Sequence, residues 1–109
     1  MKKILIAMFV CLILCGCGKS DSIEEIMKKN EYVIVDVRAD FEYKTGHLVG
    51  AINIPHDEID ENVNLDKNKV IFVYCKSGNR SGIAYETLTN LGYTVYDLGA
   101  FSEIDLPKE

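Results

Sequence analysis

The chain has 109 residues, which is enough for one small domain but not for two. Hydrophobic residues make up 48% of it and charged residues 27%, a globular composition that excludes an intrinsically disordered or collagen-like chain. Without Lys2 and Lys3, which fall in a predicted signal segment, 10 basic residues remain against 17 acidic ones, a net charge of −7. This acidic balance argues against binding to nucleic acid or to anionic lipid head groups.

The N-terminal segment is typical of a secretory signal. Two lysines precede the uncharged run 4–14, and a helix of this length crosses only about half of a hydrocarbon core, too little for a transmembrane span. Residues 14–17, Leu-Cys-Gly-Cys, resemble a bacterial lipobox. The resemblance implies cleavage after Gly16 and lipidation of Cys17, with acyl chains such as palmitate that anchor the protein on the extracytoplasmic face of the cell membrane. The alternative is an ordinary secretory signal with an incidental cysteine.

These signals divide the chain into three parts. They are a cleaved signal peptide over 1–16, a lipidated N-terminus with a short tether over 17–22, and a single domain over 23–109. Cys75 is the one thiol in that domain. An unpaired cysteine in a secreted protein either forms an intermolecular bridge or presents a reactive thiol. The sequence has no Cys-x-x-Cys motif and no Cys/His cluster with zinc-ligand spacing, so a metal site is not expected.

In chain order, the domain alternates between apolar strands and short helices. Asp21 or Ser22 can cap the first helix, whose first turn is acidic and whose last turn is basic. Nearly continuous β-branched runs are typical of strands buried on both faces, so the class is α/β with a mainly parallel sheet between helices. The predicted elements are a helix over 23–29, a strand over 32–37, a helix over 39–44, strands over 51–55 and 70–74, a helix through 83–91 that ends at Gly92, a strand over 94–98 and a turn from Gly99.

The segment from Cys75 to Arg80 follows a buried strand and precedes a helix. Ligands of open α/β sheets bind at the carboxyl ends of strands, which places Cys75 at the expected edge. Ser77, Gly78 and Asn79 allow a tight turn whose backbone N–H groups point inwards and form an anion-binding nest. Such a nest, with Arg80 and the helix dipole, favours a nucleophilic thiolate. The alternative is a small buried cysteine that only packs at a strand end.

Seven short motifs follow one another along the domain: Asp36-Val37-Arg38, Glu42-Tyr43, Gly46-His47-Leu48, Gly50-Ala51-Ile52-Asn53-Ile54-Pro55, Cys75-Lys76-Ser77-Gly78-Asn79-Arg80-Ser81, Leu91-Gly92-Tyr93 and Asp97-Leu98-Gly99. In this order they resemble the rhodanese family over residues 23–104. The resemblance implies a rhodanese-like three-layer fold, with a mostly parallel five-stranded sheet and helices on both faces. The family often has paired glycines and a nearby tryptophan at its C-terminal end, whereas here Ala100 follows Gly99 and Ile104 takes the aromatic position.

The same resemblance implies a single-domain sulfurtransferase with no metal or organic cofactor. Cys75 would take a sulfane sulfur from a small anionic donor such as thiosulfate, hold it as a persulfide, and pass it to cyanide or a thiol. Arg80 would orient the loop and attract the donor, and Lys76 would add positive charge at the pocket mouth. A solvated Lys76 without a role is the alternative for that residue. The terminal sulfur would lie among the backbone amides of Lys76, Ser77, Gly78, Asn79 and Arg80.

Other functions of the same loop are alternatives. A persulfide carrier or docking module would hand its sulfur to a protein acceptor with little turnover of its own. An extracytoplasmic redox sensor would oxidise Cys75 to a sulfenic acid or a mixed disulfide. A cysteine phosphatase is disfavoured, because the four residues between Cys75 and Arg80 form a smaller ring than the phosphatase loop, suited to one sulfur atom rather than to a phosphate.

Other polar residues of the motifs have structural interpretations. His47 is interpreted as a polar anchor between a helix and a strand rather than as an acid or base. Asp36, Arg38 and Glu42 are interpreted as a hydrogen-bonded set, because Arg38 and Glu42 are four residues apart in the sequence, about one helical turn. For Arg80, the alternative interpretation is an ion pair with a surface carboxylate.

Overall fold

Within residues 22–109, the part of the chain that the computed structural model describes, the protein forms a sheet of four parallel strands. The strands are β1 (Tyr32–Asp36), β2 (Ile52–Asn53), β3 (Val70–Cys75) and β4 (Thr94–Ala100), in the order β2-β1-β3-β4. The α/β class and the parallel sheet are confirmed. The five strands that the resemblance implied are corrected to four within the described residues, the same four strands that the apolar runs predicted. The predicted signal peptide and the lipidation of Cys17 lie outside the described residues.

Three α-helices surround the sheet. They are α1 (Ile23–Lys29), α2 (Asp40–Thr45) and α3 (Asn79–Asn90), and 3₁₀ turns lie at His56–Glu58 and Phe101–Glu103. The first helix begins as predicted, since the Ser22 hydroxyl accepts a hydrogen bond from the Glu25 N–H over 3.2 Å. Between residues 22 and 109 no helix has the length and apolar character needed to cross a bilayer.

The central strand β3 belongs to two cores, because successive side chains point to opposite faces of the sheet. On one face, Ile71, Val73 and Cys75 share a core with Ala84 and Leu88 of α3. The core on the face that α1 covers contains Ile26, Ile34, Leu48, Ala51, Val70, Phe72, Tyr74 and Ile104. Every residue of β3 is buried, which explains its unbroken apolar run and confirms the predicted helices on both faces. Packing on two sides therefore fixes the backbone that carries Cys75.

Several element boundaries differ from the prediction, among them β2, which covers Ile52–Asn53 rather than 51–55, and two of the differences bear on the loop. Gly99 does not begin a turn, because it continues β4 at a point where the pairing with β3 skips Leu98. Gly99 has a φ of 83°, the left-handed conformation that such a bulge favours, and its N–H donates to Asp97 Oδ1 over 2.9 Å. The helix α3 begins at Asn79, inside the segment predicted as a loop. The connection after Cys75 is therefore shorter than the sequence indicated.

Leu88 is fully buried between α3 and the sheet. We expect Leu88→Ala to lower the free energy of unfolding by about 2–5 kcal/mol, because the lost side chain leaves a cavity. The control is Ile83→Ala on the same helix, where the side chain is 48% exposed and the expected loss is below about 1 kcal/mol. Urea unfolding followed by circular dichroism measures both, and equal losses would contradict this packing.

Candidate active site

The loop after β3 lies at the carboxyl end of the sheet, as predicted. Cys75 is the last residue of β3, and Gly78 is the N-cap of α3. Gly78 has a φ of 98°, a left-handed conformation that glycine adopts without the steric cost of a Cβ. A Cβ at this position would approach no atom more closely than Gly99 Cα, at 4.0 Å. The backbone conformation, rather than a lack of space, therefore requires glycine here.

The backbone after Cys75 turns its N–H groups towards the sulfur. The N–H of Gly78 donates to Cys75 Sγ over 2.9 Å, and the Ser81 hydroxyl oxygen lies 3.5 Å from the same sulfur. That hydroxyl donates to the Gly78 carbonyl over 3.1 Å, so in the neutral form the thiol donates to Ser81. When the thiol ionises, the hydroxyl can rotate and donate to the sulfur instead.

Burial and hydrogen bonding change the pKa of Cys75 in opposite directions. The residue is fully buried, and this burial, the largest single contribution, raises the pKa. Hydrogen bonds from the Ser81 hydroxyl and from the N–H groups of Ser81, Gly78 and Ser77 lower it. Together they outweigh burial, so the pKa of Cys75 lies below the usual value for a cysteine. Of the predicted nest, the N–H groups of Ser77 and Gly78 act on the sulfur, and the N–H of Ser81, which was not predicted, joins them.

Arg80 forms an ion pair with Glu42 of α2. Its two terminal nitrogens donate to the two carboxylate oxygens, Nη1 to Oε1 over 2.8 Å and Nη2 to Oε2 over 3.2 Å. The hydrogen bond to Arg80 lowers the pKa of Glu42 to about 2, and the same bond raises the pKa of Arg80. The pairing of Arg80 with a carboxylate is thus confirmed, although Glu42 is half-buried rather than at the surface. It ties the loop to α2 and balances much of the guanidinium charge.

The expected contact between Arg38 and Glu42 is wrong. Arg38 lies at a bend two residues before the first residue of α2, so Arg38 and Glu42 are not one helical turn apart. Arg38 instead binds Asp36, Nε to Oδ1 over 2.9 Å and Nη2 to Oδ2 over 2.7 Å. The Tyr74 hydroxyl donates to Asp36 over 3.0 Å and accepts from the Leu48 N–H over 3.0 Å. This buried network fixes Tyr74, the residue directly before Cys75.

The remaining residues of the predicted site lie at the surface. Lys76, Ser77 and Asn79 are exposed, and Lys76 has no ion pair or hydrogen bond within residues 22–109. His47 stacks on Tyr43 with 3.9 Å between ring centroids, and its Nδ1 lies 2.9 Å from the Tyr43 carbonyl oxygen. These contacts confirm the helix side of the predicted polar anchor, because both join His47 to Tyr43 of α2. Over the same residues, no three His, Cys, Asp or Glu side chains are grouped as metal ligands.

One residue beside the loop, Phe101, was missed in the sequence. Its ring stacks on Tyr74 with 5.6 Å between centroids and lies 4.5 Å from the guanidinium carbon of Arg38. Ile104, which was expected in the aromatic position, is a buried core residue. No periodic pattern marks Phe101, because it lies in a 3₁₀ turn after β4. It forms one wall of a groove of about 330 Å³ next to the loop.

Comparison with known proteins identifies the class to which this fold and loop belong. A family model described as a rhodanese-like domain matches residues 19–104. The chain therefore belongs to the rhodanese-like family, as its motifs predicted. A solved structure described as a rhodanese with anions from Escherichia coli is 37% identical, with a TM-score of 0.65, and the match covers 72% of this chain and 96% of that one.

Two curated relatives bear on sulfur chemistry. The thiosulfate sulfurtransferase PspE of Escherichia coli (strain K12) is 42% identical over 78 residues, which are 68% of this chain and 75% of PspE. The putative sulfur carrier protein YrkF of Bacillus subtilis (strain 168) is 38% identical over 61 residues, which are 55% of this chain but only 33% of YrkF. The relatives thus include a protein named as an enzyme and one named as a carrier.

Ser81→Ala tests the hydrogen bonds around the sulfur. The substitution removes the hydroxyl 3.5 Å from Cys75 Sγ, so the pKa of Cys75 should rise towards its usual value. We expect alkylation of Cys75 by iodoacetamide at neutral pH to slow by about fivefold, the value of one hydrogen bond of about 1 kcal/mol. Ser77→Ala is the control, because the exposed Ser77 keeps its backbone N–H. If the rate of alkylation depended on pH in the same way in both variants and in the parent, the role of the Ser81 hydroxyl would be refuted.

Proposed function

We propose that the protein is a sulfurtransferase that moves a sulfane sulfur from thiosulfate to cyanide or a thiol through a persulfide on Cys75. The observation that carries this proposal is the free thiol of Cys75, whose sulfur accepts the Gly78 N–H over 2.9 Å and whose pKa is lowered by the surrounding hydrogen bonds. The similarity to PspE supports thiosulfate as the donor.

The transfer takes two steps. In the first, the Cys75 thiolate attacks the outer sulfur of thiosulfate, a new S–S bond forms, and the S–S bond of thiosulfate breaks with sulfite as the leaving group. In the second, cyanide or an acceptor thiolate attacks the terminal sulfur of the persulfide, and Cys75 leaves as a thiolate. Both the resting sulfur and the loaded terminus are anionic, so the same nest of N–H groups stabilises each of them.

The other residues of the loop stabilise the sulfur, orient the loop and attract the donor. The backbone N–H groups of Ser77, Gly78 and Ser81, which act on the resting sulfur, would stabilise the terminal sulfur as well, and the ion pair of Arg80 with Glu42 holds the loop in place. Lys76 has no ion pair or hydrogen bond among the described residues, and it draws the anionic donor towards the loop. The role of Arg80 is therefore more one of orientation than of attraction.

Replacing the nucleophile tests the proposal directly. We expect Cys75→Ser to abolish both the gain of one sulfur after exposure to thiosulfate and the formation of thiocyanate, because a serine hydroxyl at neutral pH does not attack sulfur. Intact-mass analysis and a colorimetric thiocyanate assay measure the two steps, and circular dichroism verifies that the variant is folded. Sulfur uptake by a folded Cys75→Ser protein would place the chemistry elsewhere.

A persulfide carrier is the second candidate function. It is favoured by the similarity to YrkF, which is named as a putative sulfur carrier. A carrier would gain one sulfur on Cys75 yet form thiocyanate slowly. The two assays above therefore separate a carrier, which passes only the first, from an enzyme, which passes both.

We further propose that the domain is held on the extracytoplasmic face of the cell membrane by lipid on Cys17. The order of lysines, apolar run, Gly16 and cysteine supports this placement, and two or three acyl chains give stable anchoring. Cys17→Ala should move the protein from the membrane fraction to the soluble fraction, as followed by immunoblotting. Cys15→Ala is the matched control and should leave it in the membrane. Continued membrane association of Cys17→Ala would refute the anchor.

A further inference from the structure

A groove beside the loop is lined by side chains that the binding of thiosulfate does not require. Its volume is about 330 Å³, within the range of small-molecule sites and far larger than thiosulfate requires. Because Lys76 directly follows Cys75 and lines this groove, the groove leads to the loop that holds the sulfur. Its lining residues are Arg38, Glu42, Thr45, Lys76, Phe101 and Ser102.

Among the charged groups of this groove, one cation and one hydrogen-bond-accepting oxygen remain available to a ligand. Arg38 is already neutralised by Asp36 at 2.7 Å. Glu42 accepts from Arg80 through both oxygens and from the Ala39 N–H through Oε1. A carboxylate accepts about four hydrogen bonds, so Oε2 retains capacity for one more donor. Lys76 has no partner among the described residues and is free to bind an anion.

We propose that this groove binds the acceptor, and that the acceptor is a small thiol of the amino-acid type. Its carboxylate pairs with Lys76, its ammonium group donates to Glu42, and its methylene groups lie against the ring of Phe101. In the transfer, the acceptor thiolate attacks the terminal sulfur of the Cys75 persulfide and becomes a persulfide itself, while Cys75 leaves as a thiolate. The thiol proton goes to solvent beforehand. This inference rests on the proposed function, because it needs a loaded Cys75.

Four probe thiols separate the two charges of such an acceptor. Cysteine carries both, cysteamine lacks the carboxylate, 3-mercaptopropionate lacks the ammonium group, and 2-mercaptoethanol lacks both. The protein is first loaded with thiosulfate and freed of excess donor, and the loss of sulfur from Cys75 is then followed by mass. Loading and acceptance are measured separately, so absence of loading would refute the proposed function, whereas this inference fails only in the second measurement.

Lys76→Met provides the decisive comparison. Each thiol is compared on the parent and the variant, so that its own acidity cancels. We expect the variant to slow transfer to cysteine and to 3-mercaptopropionate by about fivefold, and to change transfer to cysteamine and 2-mercaptoethanol by less than about twofold. Lys44→Met is the matched control, because Lys44 is an exposed lysine that pairs with Asp40 at 3.5 Å and does not line the groove. It should change none of the four rates.

Two results would overturn the assignment. One is an equal change for all four thiols in Lys76→Met, which would mean that the lysine acts on the persulfide rather than on the acceptor. The other is a parent protein that, at equal thiolate concentration, transfers sulfur to cysteine no faster than to 2-mercaptoethanol. Either outcome would exclude the groove as a site that recognises amino-acid thiols.

Discussion

The hydrogen bond from the Gly78 N–H to the sulfur of Cys75 is the contact on which the rest of the site depends. It forms only because Gly78 takes a left-handed conformation, which turns the chain back over the end of β3. The same turn starts α3 at Asn79 and brings the Ser81 hydroxyl to the sulfur. A fully buried thiol would otherwise hold its proton tightly, so this short turn decides whether Cys75 is a nucleophile or a core residue.

Two ion pairs hold this turn in place from different sides. Arg80 reaches across to Glu42 of α2, so the loop cannot open without breaking a bidentate contact. Asp36, the last residue of β1, binds Arg38, and the Tyr74 hydroxyl donates a hydrogen bond to Asp36. The buried Asp36–Arg38 pair adds less to stability than its short contact suggests, because desolvation offsets the attraction. The motifs that first pointed to the family are therefore largely the supports of the loop, and only one of them contains the sulfur.

The sequence was informative where local rules act and uninformative where distant residues meet. The buried strands, the cap of α1 and the position of Cys75 at a strand end follow from composition and spacing. The partner of Arg80 does not, because Glu42 is 38 residues away and its own neighbours suggested a different pairing. Gly99 was interpreted as a turn because glycine marks turns and bulges equally, and only the strand pairing distinguishes them. Phe101 carries no periodic signal, so its contact with Arg38 appears only in three dimensions.

The burial of Cys75 bears on which chemistry suits this loop. A nest of N–H groups stabilises anions and gives little to a neutral disulfide, so it favours the thiolate and the persulfide over a mixed disulfide with a bulky partner. The thiolate and the persulfide lie in the same turn, so the N–H groups stabilise both to a similar extent. Neither form is therefore so stable that it would slow the conversion into the other. In the proposed persulfide, the reactive sulfur would lie one bond beyond Cys75 Sγ. Burial restricts access to the resting thiol, whereas an acceptor would attack this outer sulfur rather than the buried Sγ.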